Sequence, residues 1–177
     1  WGNGHTELYF SPTYKRDLEW LNTSADRYPE YAAQMKTFHG HAKADQILRD
    51  GPPHAAIFPN LFLGEMNIVI FQPVSAHECI QWHTPMLLEG ASDEINARII
   101  RNSEGAMGPA AFLLADDSVI SERQQIAMRG EDAWLDLSRG LNREHVDDMG
   151  VVVSHITDET TNRGFWNHYK KVMTETD

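Results

Sequence analysis

A single cysteine, Cys79, stands in this 177-residue chain. One thiol excludes an internal disulfide and any zinc or iron–sulfur site built from cysteines of this chain alone, so Cys79 reads as a small strand residue. Basic clusters are missing too. Fifteen Lys and Arg face 26 Asp and Glu, for a formal net charge of -11. Without a basic face to displace counterions, a nucleic-acid backbone is not the partner. No apolar run approaches the roughly 18 to 20 residues that span a bilayer. The N-terminus lacks the basic and apolar regions of a signal peptide, so the expected compartment is the cytoplasm. Pro and Gly are not in excess, and neither a low-complexity segment nor an internal repeat is visible.

What remains is the composition of a folded chain, 41% hydrophobic and 23% charged, long enough for one domain with a sizeable core. The chain opens on Trp1-Gly2-Asn3-Gly4-His5 with no methionine, as a structured interior would. The expectation is a piece of a longer protein, or else processing that exposes Trp1.

The first helix is expected from about Tyr28 to Arg49, with Tyr31, Met35 and Phe38 at helical spacing and Gly51-Pro52-Pro53 as its stop. Strands are predicted over Ala55 to Pro59, Asn67 to Gln72 and Glu78 to Leu88, with turns at Leu63-Gly64-Glu65 and Pro73-Val74-Ser75. Ser92 is placed to cap a helix carrying Ile95, Ile99 and Ile100 that ends near Gly105 or Gly108-Pro109. Another helix is expected from Asp117 or Ser118 to Arg129, closed by Gly130, and further strands at Trp134 to Leu137 and Val151 to His155. Phe165, Trp166, Tyr169, Val172 and Met173 mark one face of a C-terminal helix beginning near Thr157-Asp158-Glu159. The fold class is α+β: an antiparallel sheet with helices on one side and a long C-terminal helix, a layout that suits an apolar cavity between layers.

The segment Met107 to Glu122 carries the chemistry. An apolar run through Phe112, Leu113 and Leu114 leads straight into Asp116 and Asp117. A desolvated, unpaired carboxylate there costs several kcal/mol, so the pair needs water, a base or a metal. Asp117 is either the cap of a helix starting at Ser118 or part of a site.

The order of residues resembles the catalytic domain of aromatic-ring-hydroxylating (Rieske non-heme iron) oxygenase large subunits. The resemblance runs through Asn3-Gly4-His5 and the Phe-Pro-Asn strand in Ile57-Phe58-Pro59-Asn60-Leu61. It continues in Gly108-Pro109-Ala110 followed by Asp116-Asp117, then in Thr157-Asp158-Glu159 and Arg163-Gly164-Phe165. Each motif is short; their order and spacing carry the likeness across most of the chain.

That family implies a helix-grip, Bet v1-like catalytic domain, here incomplete. It implies a mononuclear iron(II) held by two histidines and one carboxylate, with positions open for dioxygen. Matched from the Gly-Pro-Ala, the carboxylate falls on Asp117, where a helix N-terminus would favour the ionised form. Substrate would contact Met107, Phe112 and Leu113, with Asn60, Leu61 and Ile68 on the strand side. Asp116, Glu122 and Gln125 would support the iron ligand from around it. Asp158, Glu159 and Arg163 are expected to order the C-terminal helix by capping and an ion pair.

The same resemblance implies a Rieske [2Fe–2S] cluster on a domain absent from this chain. Electrons would come from NADH through a reductase, with or without a ferredoxin. The assembly would be a homotrimer or an α3β3 complex acting on an aromatic substrate and O2, by cis-dihydroxylation or monooxygenation in aromatic hydrocarbon catabolism. The chain departs from the pattern in its histidines. None of the nine stands five residues from another, and His39, His41, His77 and His83 have the wrong spacing for the family's His-x4-His pair. A non-catalytic domain that binds a hydrophobic ligand, and a structural oxygenase subunit, are the alternatives.

Overall fold

The computed structural model describes residues 1–64, 66–130 and 134–175. Its N-terminal third is built around four buried residues, Leu18, Leu21, Ala44 and Leu48. Helix α1 (Pro29–His39) begins with a proline, and α2 (His41–Asp50) follows after one residue. The single helix expected over Tyr28 to Arg49 is therefore two. Gly40 sits at φ 76 and ψ 159, a conformation no L side chain adopts cheaply, and the chain turns there. Helical spacing consequently stops predicting burial: Tyr31 packs on the core, whereas Phe38 is 84% exposed. Gly51, at φ 70, closes α2 as expected. Helix α2 is held to the Glu19–Leu21 turn by the indole N–H of Trp20, which donates to the Leu48 carbonyl at 3.0 Å, and by Arg49 on Asp17 at 2.8 Å.

Five strands form one antiparallel sheet in sequence order: β1 (Thr6–Glu7), β2 (Ala55–Ile57), β3 (Leu61–Gly64), β4 (Asn67–Ser75) and β5 (Glu78–Pro85). Two boundaries differ from expectation. Leu63 and Gly64 are paired strand residues opposite Ile68 and Asn67, not a turn, and Glu65, the third residue of that expected turn, lies outside the described residues. Pro73-Val74-Ser75 extends β4, with an irregularity in register between Pro73 and Ser75 that accommodates the missing proline N–H. Strand β5 stops at Pro85, short of the expected Leu88.

Directly paired residues share a face. The row Thr6, Ala56, Phe62, Val69 and His83 therefore points one way, and the adjacent row Ile57, Leu61, Ile70 and Trp82 the other. Helix α3 (Asp93–Met107) covers the first face. Ile95 and Ile99 join Leu21 and Met66 in the core, and Ser103 Oγ donates to Asn67 Oδ1 at 2.7 Å in the buried interior. Ser92 caps α3 by accepting the Ile95 N–H. Asn96 reads both backbone groups of Leu88, fixing how the chain enters the helix. The second face leaves Ile57, Ile70, Ile80 and Trp82 exposed.

Helix α4 (Phe112–Ala127) starts five residues before the expected Asp117, with Ala111 at the cap. Gly108-Pro109 breaks the chain, and helical sequence resumes at once: nothing in Phe112 to Ala115 resists a helix. Trp134 to Leu137 is not a strand, and Trp134 is 96% exposed. Val152–Val153 (β7) pairs with His145–Val146 (β6) in a separate two-stranded unit, shorter than the strand expected to His155.

Helix α5 (Thr160–Thr174) begins after Thr157-Asp158-Glu159. Asp158 is not its cap. Its buried carboxylate takes Arg143, the Ser154 hydroxyl and the His155 N–H, while Arg163 pairs with Glu144 and Arg139 with Glu159. The ion pair expected among Asp158, Glu159 and Arg163 does not form; each pairs instead with a residue of the 139–144 stretch, and the Arg163–Glu144 pair pins that stretch to α5. Helix α5 meets the sheet through Phe58, whose ring lies 5.5 Å from Phe165 and 4.8 Å from His168 between centroids. Among the described residues no helix is long and apolar enough to cross a membrane.

Candidate functional site

Where α3 ends and α4 begins, the chain walls a cleft of about 680 Å³, within the usual range for small-molecule sites. One wall comes from the N-terminal segment and its turn, with Glu7, Tyr9, Phe10 and Trp20. Another is the Asp50 to His54 loop that follows α2. Arg101, Asn102, Gly105 and Ala106 of α3 and Phe112 and Leu113 of α4 complete it. Gly51 lets the backbone come against the indole of Trp20: a Cβ at Gly51 would lie 2.6 Å from it. The His54 ring is edge-on to both Phe10 and Phe62, at 5.1 Å from each.

Polar groups in the cleft are mostly engaged. Glu7 accepts the Trp1 indole N–H at 2.9 Å, and Asp50 accepts the hydroxyls of Tyr9 and Ser11. Arg101 and Asn102 are different: neither side chain makes a hydrogen bond or ion pair with a described residue.

Asp116 and Asp117 follow on α4. Residues three and four apart share a helix face, so Asp117 stands one turn beyond Leu113 and Asp116 one turn beyond Phe112. Both carboxylates are exposed, and neither has a hydrogen-bond or ion-pair partner among the described residues. They lie in the second turn of α4, past the reach of its N-terminal dipole, so the expected dipole assistance is absent. Gln125 is eight residues beyond Asp117, about 80° round the helix, whereas Glu122 is five residues on, about 140° away.

Of the residues expected at substrate, Phe112 and Leu113 line the cleft. Met107 is the last residue of α3, ahead of the Gly108–Ala111 break and outside the cleft lining. Asn60 is bound to β4 instead, its Nδ2 donating to the Phe71 carbonyl at 3.2 Å. Leu61 and Ile68 belong to the sheet face that turns away from α3. Sequence reading missed His54, Tyr9, Phe10, Trp20 and Arg101. For His54 the available signal was its place between Pro53 and a strand beside Phe-Pro-Asn. Asn3-Gly4-His5 does join the sheet: His5 Nδ1 accepts the Phe58 N–H at 3.1 Å, and Gly4 lies against His168.

A second depression, of about 900 Å³, lies between the N-terminal segment, the β6–β7 unit and α5. Its carboxylates serve the fold: Glu144 holds Arg163, Asp158 holds Arg143, and Asp147 takes the N–H groups of Met149 and Val151. The described residues contain no group of three or more His, Cys, Asp or Glu able to hold a metal ion. Among the described residues Asp117 would be a lone ligand.

No protein-family model matches the chain. Solved structures do. Naphthalene 1,2-dioxygenase with indole bound in the active site superposes with a TM-score of 0.70 at 20% identity, over 87% of this chain and 37% of that one. A mutant of naphthalene 1,2-dioxygenase bound to phenanthrene gives a TM-score of 0.63 at 21% identity, over 83% of this chain and 36% of that one. The fold is thus shared with those dioxygenase chains, and this chain spans little more than a third of their length.

Proposed function

We propose that this chain is the C-terminal part of the catalytic domain of an aromatic-ring-hydroxylating oxygenase large subunit, of helix-grip architecture. It would act in the cytoplasm on an aromatic substrate and O2. The observation that carries this reading is the Asp117 carboxylate, without a partner among the described residues, one helical turn beyond the cleft-lining Leu113 in a fold shared with naphthalene 1,2-dioxygenase.

The donor set fits iron in part. Asp117 supplies a hard, accessible carboxylate of the type that suits iron(II), and two histidines from outside this chain would complete the site. Iron held there supplies the activation of dioxygen for cis-dihydroxylation or monooxygenation. This chain's own task is to orient the ring and exclude water. Phe112 and Leu113 give apolar contact, with Met107 at the end of α3, while the Asn60 to Ile68 part of the sheet sets the position of the opposite layer. Of Asp116, Glu122 and Gln125, Asp116 would support the ligand most directly, since Gln125 is about 12 Å further along the helix and Glu122 about 140° round it. The reading also entails a Rieske [2Fe–2S] cluster on another domain, electrons from NADH through a reductase or ferredoxin, and a trimeric or α3β3 assembly. A non-catalytic ligand-binding domain is the second reading, favoured by the lone Asp117 among the described residues.

Turnover separates them. The full-length protein with reductase, NADH, an arene and isotopically labelled dioxygen should give a hydroxylated product carrying the label. Arene binding without labelled product on an iron-loaded protein would favour the second reading.

A further inference from the structure

The cleft holds a cation that pairs with no described residue. Arg101 lines the cleft, and Arg163 the second depression. Arg163 is committed to Glu144 and to backbone carbonyls. Arg101, on α3, makes no ion pair or hydrogen bond with any described residue, and neither does the neighbouring Asn102 side chain. Among the described residues the carboxylates of the cleft, Glu7 and Asp50, come from the N-terminal segment and the end of α2 and already accept hydrogen bonds from Trp1, Tyr9 and Ser11. The rings of Trp20 and Phe112 line the same cleft.

Resting on the reading of this cleft as the substrate site, we infer that its substrates are aromatic acids, with Arg101 and Asn102 holding the carboxylate while the ring lies on Phe112 and Trp20. A planar guanidinium matches a carboxylate with two parallel N–H donors, and the amide of Asn102 adds one more. A neutral arene would leave both groups without a partner wherever it displaced their water, which disfavours it. The carboxylate takes the α3 side because Glu7 and Asp50 repel an anion on the other.

Calorimetric titration of the full-length protein with benzoate and with its neutral isostere benzamide tests this without needing turnover. Benzoate should bind roughly tenfold or more tightly than benzamide, the worth of a hydrogen bond to a charged group. Arg101→Gln should erase that preference, and Arg101→Lys should keep part of it as a point charge. Because Arg101 is exposed and partnerless, neither change should alter the circular dichroism spectrum. Equal affinity for the two ligands, no binding of either, or a benzoate preference that survives Arg101→Gln would overturn the inference. Failure of the oxygenase reading would show elsewhere, as Asp117→Ala protein that retains its iron.

Discussion

Leu113 and Asp117 stand four residues apart on the unbroken helix α4, so the apolar wall of the cleft and the partnerless carboxylate belong to one rigid face. A site built this way positions ligand and ring together, since neither can move without the helix. Substituting Leu113 or Met107 by alanine should therefore change substrate range or product distribution more than folding. Product ratios from several arenes, beside thermal melts, check this. Unchanged ratios would return both residues to the role of core.

Glycine geometry gives a stability prediction. Gly40→Ala forces a side chain into φ 76, ψ 159, at a cost of about 1 to 3 kcal/mol, although space around it is open. Gly51→Ala meets the same kind of strain and also drives a Cβ to 2.6 Å from Trp20, adding about 1 to 3 kcal/mol of overpacking. Urea unfolding should rank Gly51→Ala as clearly the worse of the two.

Ser103 on α3 donates a buried hydrogen bond to Asn67 Oδ1 on the sheet. Ser103→Ala should cost about 0.5 to 1.5 kcal/mol by removing that buried hydrogen bond. A loss well under that range in denaturant melts would mean that water replaces the hydroxyl.

Acid should loosen the 137–159 segment. The Arg143 guanidinium, then the Ser154 hydroxyl, hold the Asp158 carboxyl well below the usual carboxylate range. A carboxyl whose folded value is depressed binds fewer protons folded than unfolded. Its contribution is present in full above the ordinary aspartate value of about 4 and is lost as pH falls further. Asp158→Asn should flatten the stability profile below about pH 4 and speed hydrogen exchange in β6 and β7. An unchanged acid limb would remove Asp158 from that role.

Patterns of local sequence made β2, β4, β5, the Ser92 cap and the C-terminal helix legible, whereas β1 and β3 went unread and the strand expected at Trp134 to Leu137 does not form. The helix boundaries were less so, for physical reasons. Gly40 was readable as an interior glycine only until its positive φ was known. Asp116-Asp117 looked like a helix start because acidic residues favour first turns, yet the apolar run before them is itself good helix. The Asp158 clamp joins residues 15 positions apart and leaves no periodic signal. The cleft was half visible: Phe112 and Leu113 sit beside the motif, whereas Trp20, His54 and Arg101 reach it from three other segments that only folding brings together.

Iron content tests the central claim most directly. In the full-length protein, Asp117→Ala should lose its mononuclear iron while the Rieske absorbance stays. Glu122→Ala, about 140° round the same helix, should keep both. An Asp117→Ala protein that retains iron in full would contradict the account.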